Sequence, residues 1–172
     1  MTFSESIKEA FAKKKREGGE PYFNHLTRVK DAAISSVHQL KKVSEENFKE
    51  FTSAISDDLD IVLIVVEAVS LGHDYIEDIG TVSDLFHLVT DSELQELGAE
   101  KVSIIMSAIK MLSRNENENY FDFINRIANS KNMLAKLVKL ADLNDNMSDS
   151  KEGSRKDKYR FAYEKISANF WK

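Results

Sequence analysis

The densest cluster of reactive side chains in the sequence is one histidine followed closely by three acids. His73 and Asp74 are each followed, four residues later, by an acid, Glu77 and Asp78 respectively. Residues four apart share one face of an α-helix, so a single helical turn would present an imidazole and three carboxylates together. Like charges at such close range cost free energy unless a cation compensates them. The pattern therefore predicts either a metal site or a solvated acidic face at the start of a helix.

A second cluster lies within a later apolar stretch. Asp142 follows a helical stripe that contains Leu137, Val138 and Ala141, and Asn146 lies one turn further along the same face. An acid and an amide embedded in an apolar helix favour a functional role. The alternative is the polar end of a helix, because further polar residues follow.

A third candidate follows the only proline of the chain. The segment 19–25 combines a glycine, Pro21 and His25, and Arg16 lies just upstream. Glycine and proline together predict a loop, and this loop would deliver His25 to the start of a helix. Of the two remaining histidines, His38 is predicted to lie on the surface and His87 in the core or an interface.

The elements that position these residues are predicted to be helices almost throughout. Apolar residues recur at helical spacing, and no sustained alternating strand pattern is present. Ser4 is the predicted cap of the first helix, and a polar segment over 148–156 is predicted to be mobile. The sequence therefore predicts an all-α single domain over residues 1–172. The predicted helices are 4–11, 24–40, 44–55, 59–71, 83–88, 91–97, 99–112, 120–128, 133–147 and 159–170.

Composition narrows the function classes. The 172 residues fit one domain, and 42% hydrophobic with 31% charged residues is ordinary for a globular protein. The net charge of −5 argues against a broad nucleic-acid surface. The absence of cysteine excludes thiolate metal sites, cysteine nucleophiles and disulfides, and fits a cytoplasmic protein. The longest apolar run, 61–66, is too short for a membrane span, and the N-terminal segment has no signal-peptide core.

Together these clusters resemble the HD-domain metal-dependent phosphohydrolases. The resemblance is closest to the hydrolase domain of RelA/SpoT-type proteins and their small stand-alone relatives, which cleave the 3′-diphosphate of guanosine penta- or tetraphosphate, (p)ppGpp. Four places match in order, over residues 11–147. They are the loop from Arg16 to His25, the His73-Asp74 dipeptide, the Glu77-Asp78 pair, and the segment Lys139-Leu140-Ala141-Asp142 with Asn146.

The resemblance implies an HD-domain helical bundle that hydrolyses a phosphorylated nucleotide, with (p)ppGpp as the first candidate. The four implied metal ligands are two imidazoles and two carboxylates, namely His25, His73, Asp74 and Asp142. Such a set suits Mn²⁺ or another six-coordinate divalent ion. The two acids implied to orient or deprotonate the attacking water are Glu77 and Asp78. The three side chains implied to bind substrate are Arg16, Tyr22 and Asn146.

The sequence departs from that family in four places. Glu17 follows Arg16 where a basic residue is usual, Ser148 replaces a common arginine, Asn144 replaces an apolar residue, and the interval between His25 and His73 is longer. An additional helix around 43–55 would account for the longer interval and would form a lid or an interface. Two alternatives stay open: an HD-type hydrolase of another nucleotide or phosphate ester, and a metal-loaded binding module without catalysis. The oligomeric state also stays open, a homo-oligomer included.

Overall fold

The computed structural model describes residues Met1–Lys172 and is built from ten α-helices and one short 3₁₀ helix. The all-α prediction is confirmed, because the only β-type pairing is an isolated bridge between Lys15 and Pro21. None of the helices combines the length and the apolar character needed to cross a membrane. The helices are α1 (Phe3–Ala10), α2 (Tyr22–Val43), α3 (Glu45–Ser53), α4 (Leu59–Gly72), α5 (Tyr75–Asp78), α6 (Val82–Thr90), the 3₁₀ helix (Glu93–Leu97), α7 (Ala99–Leu112), α8 (Tyr120–Asn129), α9 (Met133–Asp149) and α10 (Ser154–Ala168).

Local capping chemistry explains most of the helix boundaries. Ser44 accepts the backbone N–H of Asn47 and starts α3, and Asp58 starts α4 in a similar way. The predicted cap of α1 was wrong: Thr2, not Ser4, forms a capping box there. The interval between α9 and α10 is shorter than predicted. Gly153, at φ +136°, turns the chain directly into α10.

Three helices form the centre of the fold. Helix α2 packs against both α4 and α9. Helix α4 is the most apolar of the helices and buries Val62, Val65 and Val69 completely. Its last residue, Gly72, approaches α7 so closely that an added Cβ would lie 2.7 Å from the Cδ1 atom of Ile109. This close packing holds the C-terminal end of α4 in place, directly before His73.

The long interval between the first two histidines contains the additional helix α3, as predicted. Phe51 and Ile55 are buried, and α3 packs against α2. The same two residues border a groove that is also lined by Ile104 of α7 and Met133, the first residue of α9. Helix α3 therefore lies at the opposite end of α9 from Asp142.

Helix α10 is attached to α9 through a buried lysine. The ammonium group of Lys136 on α9 donates a hydrogen bond of 2.6 Å to the carbonyl oxygen of Asn169, which ends α10. Burial lowers the pKa of Lys136. Because a buried donor without a partner is costly, this contact stabilises the docking of α10.

The α7–α8 loop is closed by Arg126. Its guanidinium donates to both carboxylate oxygens of Glu118 at 2.8 Å and to the carbonyl oxygens of Met111 and Ser113. These bonds lower the pKa of Glu118 from its ordinary value of 4.5. The ionised carboxylate of Glu118 therefore stabilises the fold fully at pH values above its ordinary pKa. This contribution is lost as the pH falls through the lowered pKa of the folded protein.

Glu118→Gln is therefore expected to lower the free energy of unfolding by about 1 kcal/mol at pH 7 and by less at pH 3. Urea unfolding at both pH values measures the difference. Glu152→Gln is the matched control: its carboxylate pairs with Lys156 but is 74% exposed, against 12% for Glu118. An equal loss for Glu118→Gln at pH 7 and pH 3 would contradict the assignment.

Candidate metal centre

Three buried side chains from different parts of the chain converge beneath one end of the helical centre. His25 lies in the first turn of α2, His73 directly follows α4, and Asp142 lies on α9. One ligand atom of each lies within 4.8 Å of those of the other two. All three were predicted ligands, and three packed helices bring them together.

The fourth predicted ligand borders the same cluster. Asp74 Oδ2 lies 3.1 Å from His73 Nε2 and 3.6 Å from His25 Nε2. On the other side, Asp142 Oδ1 lies 3.3 Å from His25 Nε2 and 3.6 Å from His73 Nε2. The hydroxyl of Tyr22 donates to Asp74 Oδ2 at 2.7 Å and holds that carboxylate in place. Two imidazole nitrogens and two carboxylate oxygens thus face one another.

The ring of His73 shows that these donors fit a cation. His73 Nδ1 lies 2.7 Å from the carbonyl oxygen of Ser70, and a carbonyl only accepts, so Nδ1 carries a proton. His73 Nε2 is buried and lies 3.1 Å from Asp74 Oδ2, but none of its contacts has the geometry of a hydrogen bond. Buried polar atoms without a partner are rare and need an explanation. A divalent cation bound by this mixed nitrogen and oxygen set would supply one.

Charge pairing holds the cluster together. Burial lowers the pKa of His25, but hydrogen bonds to Asp142, Asp145 and Asp74 outweigh it and raise the pKa to about 9. Burial also lowers the pKa of His73, but Asp74 and Asp142 outweigh the effect of burial and raise that pKa. Burial raises the pKa of Asp74, but the imidazoles of His73 and His25 outweigh the effect of burial and lower that pKa. Because a metal ligand must be unprotonated, a cation bound here would displace protons from the imidazoles.

Lys139 neutralises the outer side of Asp142. Its Nζ lies 2.8 Å from Asp142 Oδ2, so one carboxylate oxygen faces the ammonium and the other faces the imidazoles. Burial lowers the pKa of Lys139, but the charge of Asp142 outweighs it and raises the pKa. Burial raises the pKa of Asp142, and Lys139 with the two imidazoles lowers it well below 3.8. Sequence analysis gave Lys139 no role, although its position three residues before Asp142 was a usable signal.

Sequence analysis also missed Asp145 and Arg28. Asp145 Oδ2 lies 2.6 Å from His25 Nδ1, and Arg28 donates from Nε to Asp145 Oδ1 at 2.6 Å. Arg28 also pairs with both carboxylate oxygens of Glu20. Asp145 was interpreted only as part of a polar helix end. Its signal was the position three residues after Asp142, on nearly the same helix face.

The expectation that one helical turn carries all three acids was wrong. Helix α4 ends at Gly72 and α5 begins at Tyr75, so the dipeptide His73-Asp74 lies at a break between two helices. Glu77 accepts the backbone N–H of Arg114, and Asp78 pairs with Lys14 Nζ at 2.5 Å. The polar contacts of both carboxylates are therefore with residues outside the ligand cluster.

The three predicted substrate-binding residues border a cavity of about 800 Å³ beside the cluster. Arg16 donates to Asn146 Oδ1 at 2.9 Å, and Asn146 Nδ2 donates to Asp142 Oδ1 at 2.7 Å. Tyr22 likewise donates a hydrogen bond to Asp74. Two residues of the cavity lining, Tyr22 and Asn146, are therefore directly hydrogen-bonded to predicted metal ligands. The cations that line the cavity are Lys15, Arg16, Lys151 and Arg155.

An ion pair connects the two sides of this cavity. Glu17 Oε2 accepts a hydrogen bond of 2.6 Å from Arg155, which lies in the first turn of α10. Both residues line the cavity and are exposed. Glu17 is the residue that departs from the resembled family, and its partner here is a cation from the last helix. The pair therefore reduces the positive charge that one wall offers to an anion.

Comparison with known proteins assigns no family: no family model matches the chain, and no curated protein matches it. The HD-domain identity consequently stays a prediction from the motifs. The feature of the structure that bears most directly on function is the buried cluster of His25, His73 and Asp142.

Proposed function

We propose that the protein is a metal-dependent phosphohydrolase of a phosphorylated nucleotide, with the 3′-diphosphate of (p)ppGpp as the first candidate substrate. The observation that carries the proposal is the buried His25–His73–Asp142 cluster, with Asp74 at its edge. It adjoins a polar cavity whose lining includes four cations and three acids. A metal centre without an adjoining pocket that can hold phosphate anions would support only a binding role. A cationic pocket without ligands would support only anion binding.

In this proposal the four ligand side chains hold a divalent cation, with Mn²⁺ as the first candidate. When bound, such an ion polarises a phosphoryl oxygen and lowers the pKa of coordinated water. Tyr22 orients Asp74 through its hydroxyl, and Lys139 offsets the charge of Asp142. Both contacts supply the outer support that metal ligands need to stay oriented.

The cavity wall binds the phosphates of the substrate in this proposal. Arg16 is fixed by Asn146 at 2.9 Å and by Asp145 and Asp149 at 3.4 Å, so its planar guanidinium is preorganised. A preorganised guanidinium can bind phosphate oxygens in a bidentate manner. Asn146 lies between Arg16 and Asp142 and so aligns the phosphate side of the site with the metal side.

The pairing of Glu17 with Arg155 favours a second candidate, an HD-type hydrolase of another nucleotide or phosphate ester. The carboxylate of Glu17 stands where the (p)ppGpp hydrolases usually carry a basic residue. It also pairs with Arg155, one of the cations that line the cavity. A substrate with a different base or fewer phosphates suits this changed wall.

Glu77→Gln tests the proposed role of that acid in catalysis. For Glu77 to act on the attacking water it must leave the backbone N–H of Arg114, and the amide variant cannot take a proton in any position. We expect an unchanged metal content and a loss of turnover of about 10²-fold or more. Metal analysis and initial rates measure the two quantities. Glu116→Gln, an exposed acid in the neighbouring loop, is the control; a wild-type rate in Glu77→Gln would remove Glu77 from the mechanism.

The deciding experiment is an assay of Mn²⁺-loaded protein with ppGpp. Anion-exchange chromatography follows the products beside an Asp74→Ala control. Conversion to GDP and pyrophosphate, absent from the control, supports the alarmone-hydrolase proposal. No conversion by protein with bound metal contradicts that substrate, and a panel of deoxynucleotides and phosphate esters then tests the second candidate. Bound metal without turnover on any of them indicates a non-catalytic module.

A further inference from the structure

We propose that Asp145 is a positioning residue that fixes the ring of His25, so that Nε2 is the atom presented for metal binding. This inference rests on the proposed metal centre and adds a residue outside the ligand set. Asp145 approaches the ring from the side opposite to the other carboxylates, and its Oδ2 lies 2.6 Å from His25 Nδ1.

The short contact determines which ring nitrogen carries the proton. An ionised carboxylate only accepts hydrogen bonds, so Nδ1 of His25 must donate to Asp145. The other nitrogen, Nε2, is the one that lies 3.3 Å from Asp142 Oδ1 and 3.6 Å from Asp74 Oδ2. With the proton held at Nδ1, the lone pair of Nε2 is directed into the cluster, as a metal ligand requires.

Asp145 is itself held by a fixed partner. Its side chain is only 9% exposed, and Arg28 contacts both oxygens, with Nε to Oδ1 at 2.6 Å and NH2 to Oδ2 at 3.2 Å. Glu20, from the loop before α2, fixes the other edge of the guanidinium of Arg28. A continuous chain of ion pairs therefore runs from Glu20 through Arg28 and Asp145 to His25.

The two histidines are oriented by different acceptors. His73 donates from Nδ1 to the neutral carbonyl oxygen of Ser70, whereas His25 donates to a charged carboxylate. A charged acceptor makes the stronger hydrogen bond and increases the basicity of the ligating nitrogen. Removal of the charge of Asp145 should therefore weaken metal binding through His25 and leave His73 unaffected.

The test is a Co²⁺ titration of the full chain, followed by visible absorption, which reports both affinity and ligand geometry. Asp145→Asn is expected to weaken Co²⁺ binding by about 10- to 100-fold and to change the absorption bands of the bound ion. Asp149→Asn is the matched control. Asp149 lies one turn further on α9 and contacts the same two arginines as Asp145, Arg16 at 3.4 Å and Arg28 at 3.6 Å. Unlike Asp145, it makes no contact with His25.

The control should bind Co²⁺ within about twofold of the wild type, with the same spectrum. Arg28→Gln keeps Asp145 but removes the guanidinium that holds it, so we expect a smaller loss of Co²⁺ affinity. This variant replaces Asp145→Asn as the test if Asp145→Asn does not fold. Wild-type affinity and spectrum in both Asp145→Asn and Arg28→Gln would overturn the positioning role alone. Failure of the wild-type protein to bind Co²⁺ would overturn the proposed metal centre and this role with it.

Discussion

If the proposed phosphohydrolase function holds, His73→Ala protein is expected to retain no Mn²⁺ and to hydrolyse the substrate roughly 10⁴-fold more slowly than the wild type. His73 Nε2 is the buried atom without a hydrogen-bond partner, and it faces both Asp74 and Asp142. Its removal leaves one imidazole to balance two carboxylates. The remaining donors lack both the number and the geometry that a transition metal needs.

Metal analysis after dialysis and initial rates measure this loss. His38→Ala is the control, because His38 is an exposed histidine on the surface of α2. Asp74→Asn, which preserves side-chain volume, should lose metal in the same way and excludes misfolding as the cause. Wild-type metal stoichiometry in His73→Ala would contradict the ligand assignment.

Lys139→Met is expected to lower the free energy of unfolding of the metal-free protein by about 3 kcal/mol. The methionine keeps the apolar stem but removes the ammonium that contacts Asp142 Oδ2 at 2.8 Å. Asp142 is buried, so it would retain a charge with less compensation, and breaking one side of a buried ion pair is costly. Addition of Mn²⁺ should restore most of the lost stability, because the cation supplies positive charge to the same carboxylate.

Urea unfolding with and without Mn²⁺ measures both effects. Lys156→Met is the matched control, because Lys156 pairs with an exposed acid, Glu152, and such surface pairs contribute little. A loss in Lys139→Met that persists unchanged in excess Mn²⁺ would show that the lysine acts through packing rather than through charge.

The candidate ligand set was predicted from the resemblance to the HD-domain phosphohydrolases, and the residues themselves marked the same places. Histidine and aspartate are seldom buried without a role; His73 directly follows the most apolar helix, and Asp142 lies among buried apolar residues of α9. Helical periodicity alone also predicted nearly all of the elements, since one face of each helix is buried in a common core. The residue types and their order along the chain were therefore enough to indicate a metal site.

Two features could not be read from spacing. The break between α4 and α5 depends on backbone dihedral angles at His73 and Asp74. The partners of Glu77 and Asp78, which are the backbone of Arg114 and the side chain of Lys14, come from distant parts of the chain. The contact between Asp145 and His25 depends on how α9 packs against α2, which no local pattern encodes. In both cases tertiary packing decided which side chains meet.

The buried ammonium of Lys136 links the C-terminal helix to the part of α9 that carries the candidate metal centre. Lys136 and Lys139 lie one turn apart on α9, and the carbonyl of Asn169 is the acceptor for the first of them. A deletion that removes Asn169 would leave the buried ammonium of Lys136 without a hydrogen-bond acceptor. Lys136 lies one helical turn from Lys139, which neutralises Asp142. Progressive trimming by a carboxypeptidase should therefore leave the proposed hydrolase activity intact until Asn169 is reached and reduce it sharply afterwards.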